Sequence, residues 1–228
     1  MRLSLSKLSL LASVGASAVA LLSAQAGAGD HPMYISMFGG GSFLNDVTSI
    51  KQESGGQNYS ASFNTGYIIG GAFGVHVNDR LRGEIEMSHA GWSAKGFSGL
   101  TNDGGVTSTA SGTLDATYLL ANLWFDLPNN HAVTPYLGGG LGVGFVNANV
   151  LFNNFNHDDG YTGGGTGLAF QIGGGLKKAL TDKIDFDVGY RFKGITGINF
   201  GSLENSNQPY NGANLYSHNL QLGLTFKF

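Results

Sequence analysis

The last nine residues, Leu220 to Phe228, set the strictest limit on what this chain can fold into. Large apolar side chains fill every second position: Leu220, Leu222, Leu224, Phe226 and Phe228. Asn219, Gln221, Gly223, Thr225 and Lys227 stand on the alternate positions. A strand sends successive side chains to opposite faces, so this segment has one apolar face and one polar face. In water such a strand would expose apolar surface and an unpaired edge together. Both problems disappear if the apolar face meets lipid and the polar face lines a closed barrel, where every backbone group is satisfied internally.

The start of the chain fits that reading. Met1 to Ala26 reads as a cleaved secretory signal: Arg2 and Lys7 supply the positive end, Leu8 to Leu22 the apolar segment, and Ala24-Gln25-Ala26 the small-residue cleavage site. Ala26-Gly27-Ala28 offers a second site, after residue 28. The expected mature domain is therefore 27–228, with ten Lys and Arg against fifteen Asp and Glu, a charge of −5. No basic patch favours nucleic acid. No later stretch is apolar enough for a transmembrane helix, so a membrane span must be built from strands. The absence of Cys excludes a disulfide framework, and 38 glycines without a collagen period point to many turns or close-packed strands.

Period-two runs predict about eight strands: Met33 to Phe43, Thr65 to Val77, Leu81 to Gly91, Thr113 to Leu127, Thr134 to Val146, Gly167 to Ala179, Ile184 to Lys193, and the terminal strand. Four long polar connections separate them, Leu44 to Asn64, Trp92 to Gly112, Asn147 to Thr166 and Gly194 to Ala213, alternating with short turns near 78–80, 128–133 and 180–183. The expected fold is all-β, a closed antiparallel up-and-down transmembrane β-barrel. An even strand count puts both termini and the short turns on the periplasmic side and the long loops outside. Leu120 and Trp124 fall on the inward set of the fourth strand, which predicts either a bulge or a packed interior there.

The inward sets carry charge. Arg82, Glu84 and Glu86 share one face, and Asp185, Asp187, Arg191 and Lys193 share another. Carboxylates opposite unbroken apolar faces argue against the inverted pattern of a soluble lipocalin-like barrel, because burying them in an apolar core is very costly. The expectation is a lumenal ion network of Arg82, Glu84, Glu86, Lys177, Asp185, Asp187 and Arg191. Tyr67, Trp92, Tyr190, Phe192 and Tyr216 lie near strand ends and suit the aromatic girdles of a bilayer interface.

Several segments together resemble the small outer-membrane β-barrels of Gram-negative bacteria, of the OmpA-barrel and opacity-protein type. They are Thr134-Pro135-Tyr136-Leu137-Gly138-Gly139-Gly140-Leu141-Gly142, Asp187-Val188-Gly189-Tyr190-Arg191, Leu120-Ala121-Asn122-Leu123 and Gly223-Leu224-Thr225-Phe226-Lys227-Phe228. The resemblance implies that Leu224, Phe226 and Phe228 form the signal read by the barrel-insertion machinery. It also implies periplasmic chaperones, outer-membrane lipids and lipopolysaccharide as partners, with a host or environmental ligand reached through the loops. The expected role is structural, adhesive or surface-interacting, through four exposed loops. A small porin-like channel and a lipid A-modifying enzyme are the alternatives.

No cofactor, metal or catalytic site is expected. Glu84 and Glu86 lie about 7 Å apart on one face, but an ion network explains them more simply than acid–base chemistry. Ser88-His89 and Ser217-His218 are sequence neighbours that point to opposite faces, so neither pair forms a nucleophile–base dyad by itself. His89 and His218 fall on the lipid-facing set near the outer rim. His157-Asp158-Asp159 matches no known cation-loop spacing, and the glycine runs are not followed by the Lys-Ser/Thr of a phosphate loop.

Overall fold

A computed structural model describes residues 32–51, 58–101, 104–128, 132–154, 157–200 and 210–228. The signal-sequence reading of 1–26, with its alternative end at 28, lies outside the described residues. The strands are β1 (Met33–Leu44), β2 (Val47–Lys51), β3 (Asn58–Phe63), β4 (Gly66–His76), β5 (Leu81–Thr101), β6 (Gly104–Asp126), β7 (Thr134–Asn154), β8 (His157–Ala179), β9 (Ile184–Phe200) and β10 (Tyr210–Lys227). Every pairing is antiparallel. Eight strands close a ring in the order β5-β4-β1-β10-β9-β8-β7-β6, with β6 returning to β5. The β2–β3 hairpin is added to the upper part of β5.

The register fixes the barrel's shape. Paired residues lead from Tyr34 through Gly74, Glu84, Asn122, Gly140, Gln171, Lys193 and Ser217, and re-enter β1 at Leu44, ten residues from the start. With about 4.8 Å between strands and about 3.3 Å per residue, that stagger tilts eight strands about 41° from the axis and gives a radius of about 8 Å. Such an interior is just wide enough for side chains to fill.

The same tilt corrects the expected loops. The 21 residues of β7 rise about 50 Å along the axis, twice the apolar band of about 25 Å that such barrels present to lipid. The described parts of Trp92 to Gly112, Asn147 to Thr166 and Gly194 to Ala213 are mainly strand, and β2 and β3 lie inside Leu44 to Asn64. These segments look like loops because their hydrophobic phase is reversed. In β7 the outward side chains change from Leu137 and Leu141 to Asn147 and Asn149, and the inward ones from glycine to Val146, Ala148 and Val150. In β5 the buried set changes from Arg82, Glu84, Glu86 and Ser88 to Ala90 and Trp92, and in β9 from Arg191 and Lys193 to Ile195 and Ile198. In β10 it changes from Gln221, Asn219 and Ser217 to Leu215.

The change falls near one level round the ring. Below it the barrel is apolar outside and polar inside, and above it the reverse. That level is where the surrounding medium changes from hydrocarbon to water. The apolar residues at alternate positions of the ring strands below it are exposed, among them Ile35, Met37, Ile69, Phe73, Met87, Leu123, Ile172, Leu176, Val188, Leu220 and Leu222.

An arginine placed on the outward face distinguishes the two zones. Leu141→Arg should lower unfolding stability by about 2–4 kcal/mol, and Asn149→Arg, above the boundary, by about 1 kcal/mol or less. Reversible urea unfolding from lipid vesicles measures both; equal losses would contradict the placement of the boundary.

Candidate functional site: the filled lumen and the hairpin rim

Among the described residues, ten charged side chains point into the lumen, five cations (Arg82, Lys177, Arg191, Lys193, Lys227) and five anions (Glu84, Glu86, Asp126, Asp185, Asp187). The mouth at the short-turn end is closed by Asp126, which accepts hydrogen bonds from Arg82 Nη2 at 2.9 Å and Lys177 Nζ at 2.8 Å. Lys227 Nζ reaches Asp185 at 2.8 Å on the facing wall. Asp187 accepts from the Tyr136 hydroxyl at 2.5 Å, and that hydroxyl oxygen accepts from Arg191 Nη2 at 2.8 Å. Arg191 also lies 4.1 Å from the centre of the Trp124 ring. Glu84 accepts from the Tyr34 hydroxyl at 3.1 Å and from Trp124 Nε1. Opposite Trp124, Gly138 has no side chain; a Cβ there would sit 2.7 Å from the indole.

Glu86 is the centre of the next layer. Its Oε1 takes Lys193 Nζ and the Ser88 hydroxyl (2.8 Å), and its Oε2 takes Asn122 Nδ2 (2.9 Å) and Gln171 Nε2 (2.6 Å). Four donors therefore saturate a carboxylate that lies in a site closed to solvent. Directly above, Ile68, Ala90, Trp92, Leu114, Ala116, Tyr118, Leu120, Val146, Ala169, Ile195 and Leu215 pack as one apolar cluster that closes the upper lumen.

The sequence names the network's members better than its pairs. Arg82 takes Asp126, not Glu84 or Glu86, because Asp126 stands at the same mouth of the barrel. Asp126, Lys227, Tyr34 and Tyr136 join the residues expected from sequence, and Lys193, expected on the inward face, pairs with Glu86. The period-two pattern carried a signal for Asp126, inward with Asn122 and Trp124, and for Lys227, on the polar side of the terminal strand. Trp92 is corrected: it points inward, is 2% exposed, and donates Nε1 to Ser42 at 3.1 Å. It belongs to the apolar cluster above the boundary, not to a lipid girdle. Leu120 and Trp124 prove to be packed interior without a bulge, since β6 pairs continuously from Leu114 to Asp126. Leu224, Phe226 and Phe228 all face outward.

At the rim next to the long hairpins, Tyr67 and Tyr190 are exposed and Phe192 and Tyr216 half-buried on the lipid face. Ser88 and Ser217 point inward while His89 and His218 point outward, so neither sequence-adjacent pair meets. Two cross-strand pairs do form. His89 Nδ1 is 3.0 Å from Thr117 Oγ1, and its Nε2 is 3.8 Å from Asp115. His218 Nδ1 is 2.6 Å from the Tyr190 hydroxyl. The side chains of His157, Asp158 and Asp159 lie outside the described ones.

A closed ring of antiparallel strands with a lipid-facing apolar band and a filled polar lumen defines a transmembrane β-barrel. The model of the outer membrane protein β-barrel domain matches residues 10–228, so the chain belongs to that family, whose members are bacterial outer-membrane proteins. An adhesin-named protein of Rickettsia rickettsii is 22% identical over 206 residues, covering 86% of this chain and 88% of the relative. Outer membrane protein PagN of Salmonella typhimurium is 28% identical over 123 residues, 49% of each chain. Among solved structures, Neisserial surface protein A aligns with a TM-score of 0.49 at 17% identity, over 86% of this chain and 97% of the other.

A double-mutant cycle tests the buried pair. Lys193→Met should cost about 3–5 kcal/mol, because it leaves the Glu86 charge unpaired, whereas Lys193→Met with Glu86→Gln should recover most of that loss. Urea unfolding in vesicles reads both; a single variant no worse than the double would contradict the pairing.

Proposed function

We propose that this protein is a closed, non-catalytic display barrel of the outer membrane that holds long β-hairpins outside the cell for adhesion or surface contact. The filled lumen carries this reading. Paired charges occupy its lower half and packed apolar side chains its upper half, so the interior serves rigidity. The hairpins continue that rigid sheet about 25 Å beyond the lipid, where Ser93, Ser111, Thr113, Asn147, Asn149 and Thr162 face outward. A rigid support with these hydrogen-bonding side chains presents a polar contact surface. The names of the Rickettsia and Salmonella relatives support a surface role. In this orientation the short turns and both termini are periplasmic.

A porin-like channel fits the filled lumen poorly. One observation favours a lipid-modifying enzyme: Thr117, His89 and Asp115 stand in the order hydroxyl, base and carboxylate on the lipid face. The 3.8 Å gap to Asp115 is beyond hydrogen-bond reach, which leaves the base without an orienting partner. Unchanged lipid A acyl chains, by mass spectrometry of cells with and without the gene, are the outcome this reading predicts.

Proteinase K added to intact cells should cut between β2 and β3, β5 and β6, β7 and β8, or β9 and β10, and spare the turns at 77–80 and 180–183. Cleavage at Arg80 or Lys183 would reverse the orientation. The purified barrel in planar bilayers should show no stable conductance steps; ohmic steps would favour the channel.

A further inference from the structure

Above the hydrocarbon boundary the wall exchanges two of its members. β1 ends at Leu44 and β4 begins at Gly66, and the β2–β3 hairpin takes their place beside β5. The upper wall therefore runs β2-β3-β5-β6-β7-β8-β9-β10. Seven ladders join these eight strands; among the described residues there is none between β2 and β10. The β1–β10 ladder stops at Leu44 opposite Ser217, followed by the bond from Asn45 N–H to the Tyr216 carbonyl at 2.9 Å. Beyond that bond β2 and β10 run side by side without backbone pairing. The five residues of β2 make this seam about 17 Å long.

A bulge accompanies the end of the ladder. β10 loses register with β9 between Asn211 and Leu215, where Gly197 holds φ at 65° and its N–H donates to Asn214 Oδ1 at 3.2 Å. A bulge bends its strand and sharpens the twist, which takes the free edge of β10 out of the line that the β1–β10 ladder follows. Beneath the seam, Val47 of β2 and Ala213 of β10 pack against the apolar cluster of the upper lumen, beside Leu44 and the buried Leu215. Each edge carries a row of N–H and C=O groups at a repeat of about 6.7 Å, a spacing that another extended backbone matches. A single short edge strand is guarded by its shortness. Two opposed edges over an apolar floor specify more: a strand with apolar side chains at alternate positions fits between them.

We propose that this seam is a strand-acceptor site: an extended segment of a partner polypeptide enters between β2 and β10 and takes main-chain hydrogen bonds from both. Its inward side chains are apolar and meet Val47, Ala213 and the cluster below, and its outward ones are polar and face water. Entry widens the seam by one strand spacing, about 4.8 Å. The β2–β3 hairpin is the part that moves, because its ladder to the wall is the short one from Tyr59 opposite Gly99 to Phe63 opposite Ala94. A second copy in the same membrane does not fit. A two-fold axis along the membrane normal makes strands tilted by about 41° cross at about 80°, far from the alignment of a ladder. The site deepens the display reading by naming an extended polypeptide as what the hairpins hold. Its failure leaves that reading standing, and a reversed orientation or a conducting lumen leaves the seam of the purified barrel unchanged.

The full barrel in phosphatidylcholine nanodiscs is titrated with a short labelled peptide of alternating valine and threonine, with lysine at each end, and followed by fluorescence anisotropy. Two isomers of the peptide, N-methylated along one edge or along the other, serve as probes of the two ladders. The plain peptide should bind saturably, and each isomer at least about tenfold more weakly, as the loss of one or two hydrogen bonds implies. Binding should slow amide hydrogen exchange in both 47–51 and 210–215. Val47→Asp, which charges the floor, should weaken binding about tenfold or more, and Asp79→Asn, in the short turn at the opposite end, should leave it unchanged. The methylated peptides act on the unmutated protein, so the test survives a variant that fails to fold. Equal binding of plain and methylated peptides, no saturation by roughly 1 mM, or unslowed exchange at either edge would overturn the proposal. A dimer in native mass spectrometry with these amides already protected would also overturn it, by giving the seam to a second copy.

Discussion

Hydrocarbon offers no hydrogen-bond partner, and that single deficit organises the whole molecule. A strand placed in lipid must find its backbone partners on two neighbours, so the sheet must close on itself. Eight strands do so here, and the ten-residue stagger of the pairing follows the ring from Tyr34 to Leu44. Closure then fixes tilt and radius together. A barrel of about 8 Å radius leaves too little room for bulk water across its lumen, and the interior becomes a packed core with polar chemistry.

That narrowness explains the lumenal side chains. A charge inside such a tube has lost most of its hydration and must be matched at contact distance. The five cations and five anions meet that demand by layers, Asp126 with Arg82 and Lys177 at the mouth and Glu86 with Lys193 in the middle. Tyrosine and tryptophan donors complete the carboxylates that lack a close cation, as at Glu84. Above Glu86 the demand changes. Outside is water, inside is apolar, and the same eight walls continue as the shell of a soluble-type barrel closed over Trp92, Leu114, Val146 and Ile195.

How far the sequence revealed this follows from the same physics. Within the membrane, apolar residues face one solvent on every strand, so alternation identified all eight ring strands, their faces and most of the inward charges, though not Asp126 or Lys227. Beyond the boundary the alternation persists with its phase inverted and with small polar residues outside. Val146, Ala148 and Val150 between Asn147 and Asn149 show the pattern once the change of medium is known; read with a single phase they look like a loop. The same inversion placed Trp92 on the wrong face. The partners within the network were not legible, because strand pairing fixes which residues are neighbours in the sheet, while Arg82, Lys193 and Arg191 reach across or along the lumen by side-chain length. His89 with Thr117 and Tyr190 with His218 depended on cross-strand register, which no single strand encodes.

A nitroxide scan along β7 in lipid bilayers addresses the reversal of phase most directly. Accessibility to oxygen reports hydrocarbon, and accessibility to a nickel chelate reports water. The account predicts oxygen exposure at Leu137, Leu141 and Val143, nickel exposure at Asn147 and Asn149, and protection from both at Val146 and Ala148. Nickel exposure at Leu141, or oxygen exposure continuing unchanged to Asn149, would show that the boundary is not where the side chains exchange faces.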